Sequence, residues 1–253
     1  MILAMSPQPP RIHFTAAKLP IMLVFACTAS LTSDGADLAS EALQERVLAV
    51  ARNVTAEDYA FTRTVRSERV EGGKTTQRTE VERYDPTRPS ERRWTLISID
   101  GRPPSADELK RHARSSPKRR VGHYGRVAMY IGSAATTSLD AKGRTVFRFA
   151  TLPNGVVVLS GNDVSGSATG EATVNTSGAV PFVEEARFTL MKPVRVKVVA
   201  KIERCEVISR YRLMPDGKPV PTEYVSDVHG SLLGQPGRIR SALTYGEHRA
   251  VER

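Results

Sequence analysis

From 194 to 213 apolar and polar positions alternate without a Gly or Pro: VRVKVVAKIERCEVISRYRL. Val194, Val196, Val198, Ala200 and Ile202 share one face of a strand, because side chains repeat every two residues. At Glu203-Arg204 the phase flips, and Cys205, Val207, Ser209, Tyr211 and Leu213 take over the apolar face. A one-residue slip of this kind marks a β-bulge, which bends a strand. Length asks for the same bend. A straight strand of this length would run roughly 66 Å, whereas a compact chain of this size is about 45 Å across. The pattern predicts one long curled strand in a strongly bent sheet.

The rest of the chain supplies its neighbours. Ala39, Leu43, Val47 and Val50 recur at helical spacing and predict a helix over 34–54, ended by Asn53. Strands 59–70 and 75–84 predict a hairpin around Gly72-Gly73. Arg, Thr and Glu dominate both faces of it, so it reads as edge-like and solvated, over a thin apolar face of Tyr59, Phe61 and Val65. A strand over 93–100 sets Trp94 and Leu96 on one face and Ile97 and Ile99 on the other. Ser105-Ala106-Asp107-Glu108 is a capping box opening a short helix to about Arg114, which the Ser115-Ser116-Pro117 break ends.

Further on, 147–152 and 156–160 predict a hairpin around Pro153-Asn154-Gly155, and the Gly, Ser and Thr of 161–178 predict loop or short polar strands. A strand over 182–191 leads into the long one. Turns at Met214-Pro215-Asp216-Gly217 and Gly234-Gln235-Pro236-Gly237 launch the final strands. The fold class is therefore mainly β (α+β): a strongly curved antiparallel sheet or unclosed β-barrel, with an N-terminal helix and a short second helix over one side.

Composition changes this picture in three ways. Hydrophobic residues make up 40% of the 253 residues, which supports a real core, and aromatic residues 6%. The net charge of +10 suits anionic partners. The N-terminus sets the compartment: Arg11, His13 and Lys18 precede an apolar run over 19–25 and then Ala26-Cys27-Thr28-Ala29-Ser30, with no acid before Asp34. That is a secretory signal over 1–29, leaving 30–253 as a single curved β-sheet domain, exported to the periplasm or cell envelope. The run falls short of the ~20 apolar residues that a bilayer span needs. Val24-Phe25-Ala26-Cys27 is a loose lipobox, so acylation of Cys27 is the alternative to cleavage after Ala29. Cys205 is then the lone cysteine, read as a small buried apolar residue.

The order of elements, with Trp94-Thr95-Leu96 and Thr244-Tyr245-Gly246-Glu247-His248-Arg249, resembles the LolA/LolB-like fold of envelope carriers, shared by the sigma-factor regulator RseB. The resemblance would span 36–250. It implies an unclosed barrel whose mouth is covered by helices, binding a lipid or acylated lipoprotein in its apolar concavity without chemistry. Such carriers line that cavity with rings and large aliphatics, and this chain has few rings.

Candidate sites follow. Trp94, Leu96, Phe147, Phe149, Phe182 and Phe188 are the expected apolar interior: core if the sheet closes on itself, ligand cavity if it does not. Lys110, Arg111, Arg114, Lys118, Arg119, Arg120 and Arg126 form a basic run with no acid among them. It reads as a solvated loop or as a patch for anionic headgroups, where each charge is worth ~1 kcal/mol. Ser115-Ser116-Pro117-Lys118 matches S-x-x-K without its companion motifs. Gly122-His123-Tyr124-Gly125 matches the clamp loop of KH domains without their helices. His112, His123, His229 and His248 are scattered, with no metal-ligand spacing. The sequence thus predicts no enzyme, no cofactor, no metal and no nucleic acid. Its two leading readings are a carrier of a hydrophobic ligand and a structural or interaction protein with a packed core. Oligomeric state is left open.

Overall fold

The computed structural model describes residues 33–119, 121–159, 161–196 and 200–251. The expected signal segment, Cys27, Val198 and Arg120 lie outside the described residues, as does the side chain of Lys118. Helix α1 (Ser33–Arg52) is followed by β1 (Tyr59–Glu71), β2 (Lys74–Tyr84), β3 (Trp94–Ile99) and α2 (Ala106–Ser115). Then come β4 (Thr136–Leu139), β5 (Thr145–Phe149), β6 (Val158–Leu159), β7 (Asn162–Asp163), β8 (Ala168–Asn175) and β9 (Phe182–Leu190). β10 (Val194–Val196), β11 (Ala200–Leu213), β12 (Pro219–Leu232) and β13 (Gln235–Ala250) complete the chain. One antiparallel sheet runs β3-β2-β1-β13-β12-β11-β9-β8-β5-β4, with β10 pairing β11 beside this path. Among the described residues β3 and β4 pair on one side only, so the curved sheet stays open, as expected. No helix among the described residues is long and apolar enough to cross a membrane.

The Gly72-Gly73 hairpin forms as predicted, both glycines taking the positive φ that a tight two-residue turn requires. Its place differs. β1 pairs β13 along its length, so the hairpin is interior rather than an edge, and it joins the first strand to the last. β3 also differs. A bulge between Val81 and Glu82 skips Ile97, which turns outward, while Ile99 returns to the buried face of Trp94 and Leu96. The α2 capping box is present in full, the Ser105 hydroxyl accepting from the Glu108 N–H. On α1 the buried stripe is Val47, Leu48 and Ala51, and Ala39 is exposed.

The long alternating run is two strands. β10 pairs back on β11, Val194 opposite Ile202 and Val196 opposite Ala200, so the chain reverses between them. The reversal relieves most of the length conflict. The predicted bulge relieves the rest: the β11–β12 register slips between Ile202 and Arg204, and Ile202 and Cys205 both reach the same core. Gly230 faces this bulge, where a Cβ would overlap the Lys201 carbonyl. Gly230→Ala is expected to lower the unfolding free energy by about 1–3 kcal/mol in urea denaturation. Ser231→Ala, one residue on, should stay within about 0.5 kcal/mol, and equal effects would rule out the close approach as the cause.

The predicted 147–160 hairpin is absent. Gly155 turns the chain, but β5 pairs β4 and β8, and β6 pairs β7. The stretch expected to be loop or short polar strands contains β8, an eight-residue strand whose inward positions are the apolar or small Ala168, Gly170, Ala172 and Val174. Small residues serve there because Leu152 and Phe188 press on Gly170, 3.0 Å from where a Cβ would stand. Phe147, Phe149, Phe182, Phe188 and Cys205 join one core beneath α1. Burial pushes the Cys205 thiol up to about 11, so it is an inert apolar filler.

Candidate ligand-binding site

The concave face is not filled throughout. Between the 121–130 segment, the β6 end of the 156–159 stretch and strands β9, β11, β12 and β13 lies a cavity of about 300 Å³. Its walls are apolar: Val156, Val157, Leu159, Phe188, Val207 and Leu243. Tyr130, Tyr211, Tyr224 and Tyr245 ring it, four of the seven tyrosines in the chain. With Phe188, five of the fifteen aromatic side chains of the chain line it. Tyr130 meets Phe149 and Phe188 edge-on at centroid distances of 5.8 and 5.1 Å, which favours aromatic pairs. A larger, shallower groove of about 720 Å³ runs along Arg148, Glu171 and Arg187. Its charges already pair with one another and with Glu206, at 2.7–2.8 Å, and it opens broadly to solvent.

The Gly122-His123-Tyr124-Gly125 stretch is a packing device of this cavity. Buried Tyr124 accepts a hydrogen bond from the Val183 N–H at 2.8 Å and meets Tyr211 edge-on, tying the segment to β9 and β11. A Cβ on Gly122 would stand 2.6 Å from the Tyr245 hydroxyl, and one on Gly125 would overlap the Val54 carbonyl. Gly122 thus permits close approach to a side chain, and Gly125 close approach to the backbone that follows α1.

Of the six predicted interior residues, the structure buries all, but Phe188 alone lines the cavity among the described residues. Phe147, Phe149 and Phe182 sit in the core behind it. Trp94 belongs to a separate cluster with Phe61 and Tyr84, at centroid distances of 5.8 and 5.0 Å. Leu96 is buried on the same strand.

The structure divides the basic run. Lys110, Arg111 and Arg114 are exposed on α2. Arg119 turns inward to Glu82, and Arg126 faces the cavity. Glu82 has no solvent exposure and gathers Arg63 at 2.5 Å, His112 at 2.9 Å, and Arg119. Arg63 also lies 4.0 Å over the Trp94 ring, a cation–π contact. Burial pushes the Glu82 carboxyl up, but the His112 hydrogen bond and the two guanidiniums outweigh it and hold it at about 2. This hub fastens α2 and the basic segment over β1–β3, next to the cavity wall that Arg63 shares. Sequence reasoning missed it, although Arg63 continues the phase of Tyr59 and Phe61, and Glu82 that of Tyr84.

The histidines do not meet. His112 is at Glu82, His229 at Asp227 and Arg204, and His123 on the Val54 backbone. His248 is half-buried beside Phe61, and desolvation followed by the Arg212 charge lowers it to about 4. Among the described residues no three His, Cys, Asp or Glu side chains converge as a metal set.

No family model matches the chain, and no curated protein matches it. Among solved structures, it is similar to a LolA superfamily protein from Nitrosomonas europaea, at 13% identity, 84% of this chain and 94% of that one, with TM-score 0.32. It is also similar to a DUF1329 family protein from Desulfovibrio piger, at 11% identity over 84% and 92%, with TM-score 0.33. A proposed outer membrane lipoprotein-sorting protein domain from Vibrio parahaemolyticus aligns at 11% identity over 83% and 95%, with TM-score 0.32. At this identity and superposition, none of the three bears on what the chain binds.

Proposed function

We propose that the protein is an exported envelope protein that holds an apolar chain, from a lipid or an acylated lipoprotein, in its concave cavity without transforming it. The observation that carries this reading is the unfilled volume of about 300 Å³, walled by aliphatic side chains and ringed by tyrosines, at the lower end of small-molecule sites. The signal layout of residues 11–30 supports export, and 30–253 is read as a single domain. A carrier role also fits the chemistry of the lining. Ser209, its one alcohol nucleophile among the described residues, is hydrogen-bonded to Tyr211, while His123 is held by the Val54 backbone. Lys110, Arg111 and Arg114 give α2 an exposed basic face suited to an anionic membrane surface during loading.

A second reading, an envelope interaction protein without a small ligand, is favoured by the dense core of Phe147, Phe149 and Phe182 that fills the neighbouring concave face. Native mass spectrometry of protein purified from its own compartment, with solvent extraction in parallel, separates the two. The carrier reading expects a bound mass of lipid size and the same lipid in the extract. Repeated recovery of the bare chain, with nothing extracted, supports the interaction protein instead.

A further inference from the structure

Resting on the carrier reading, the polar groups of the cavity specify one end of its ligand. Four charged side chains line the cavity or its rim: Arg63, Arg126, Glu223 and, when protonated, His123. Arg63 is committed to Glu82 and stacked on Trp94. Glu223 is paired with Arg210. His123 is hydrogen-bonded to the Val54 backbone through one ring nitrogen, while its Nδ1 is buried without a partner. Arg126 differs from all three. It is half-buried, lines the cavity, and forms no ion pair among the described residues.

A guanidinium facing a largely apolar cavity with no carboxylate paired to it is a poorly compensated charge, since removing it from water has a cost that a partner normally offsets. A second observation points to the same place. The Tyr130 hydroxyl is buried and without a hydrogen-bond partner, on a side chain 4% exposed that lines the same cavity. Buried hydroxyls without partners are uncommon, and such a group marks a place where a partner belongs. Arg126 lies near enough for its charge to act on Tyr130 and Tyr211, opposing the upward push that burial gives both phenols. The two groups are donors of complementary kind. A guanidinium offers a planar fork that matches a carboxylate, and a phenol adds one O–H.

We propose that the cavity takes a single-chain amphiphile ending in a carboxylate, its acyl chain against Val157, Leu159, Phe188 and Val207 and its head on Arg126 and Tyr130. A cavity of about 300 Å³ suits one chain rather than a two-chain lipid at full length. The carboxylate completes the charge of Arg126 and occupies the Tyr130 hydroxyl, so one ligand end satisfies these two groups.

Titration calorimetry of the delipidated full chain with three probes of equal chain length tests this: laurate, dodecanol and dodecyl phosphate. Laurate is expected to bind at least about tenfold more tightly than dodecanol, the low end of what a charge-assisted pair contributes. Arg126→Gln should abolish that preference, and Tyr130→Phe should reduce it several-fold without loss of stability, because the hydroxyl has no partner in the free protein. Equal binding of laurate and dodecanol overturns the head-group assignment while leaving the carrier reading intact. Tighter binding of dodecyl phosphate than laurate replaces carboxylate by phosphate as the head. Binding of none of the three overturns both this assignment and the carrier reading.

Discussion

Replacing Glu82 by Ala is expected to cost about 3–5 kcal/mol of stability, because the buried Arg63 and His112 and the half-buried Arg119 then surround a missing carboxylate. In a domain of this size that corresponds to a melting temperature lower by about 6–20 °C. Thermal unfolding followed by circular dichroism measures it, and a change below about 1 kcal/mol would show that the hub is not what fastens α2. The pH dependence carries the same information with a definite sign. The folded carboxyl titrates at about 2, below its ordinary 4.5. A depressed acid stabilises the fold above its unfolded value and loses that contribution as pH falls, here between about 4.5 and 2. Linkage makes the difference worth about 3 kcal/mol. Glu82→Gln should flatten the stability profile in that window. His248, lowered to about 4 by desolvation, drops stability in the same direction between about 6.5 and 4, and the comparison with Glu82→Gln subtracts it.

The second large effect concerns binding. Val207 points from the centre of β11 into both the core and the cavity wall. Val207→Trp is expected to narrow the void and weaken retention of the lipid-sized adduct expected in native mass spectrometry, while overpacking costs about 1–3 kcal/mol. Leu243, half-buried on β13 at the same cavity, gives a gentler route if that strain unfolds the protein. Leu243→Trp narrows the cavity from β13 and should weaken retention with a smaller loss of stability. Retention unchanged in both variants, with both folded, would place the ligand elsewhere.

Much of this architecture was legible because it is local. The Gly72-Gly73 turn, the Ser105 capping box and the Glu203-Arg204 slip each lie within a few residues and behave as read. The reversal after β10 was not legible, for a physical reason. Residues opposite one another in an antiparallel pair face the same side. Val194 opposite Ile202 and Val196 opposite Ala200 therefore keep one apolar parity through a turn, and alternation cannot distinguish a hairpin from one strand. β8 was hidden by its small residues, whose reason is the bulk of Leu152 and Phe188, far away in sequence. The cavity is non-local in the same way. Tyr130, Tyr211, Tyr224 and Tyr245 come from separate elements, and only the sheet brings them together. Arg63 and Arg126 looked like members of a solvated charge population. Phase with Tyr59 and Phe61 marks Arg63 as inward, whereas no periodic signal marks Arg126, which lies in a short 3₁₀ segment, Tyr124–Met129.

The central claim, that the concave void holds an apolar chain, is tested most directly with a ligand whose head contributes little. Dodecanol titrated into delipidated wild-type protein and into Val207→Trp provides that comparison. The account predicts saturable one-to-one binding to the wild type and clearly weaker binding to the narrowed variant. Absent saturable binding to the wild type, or equal binding to both proteins, would contradict it.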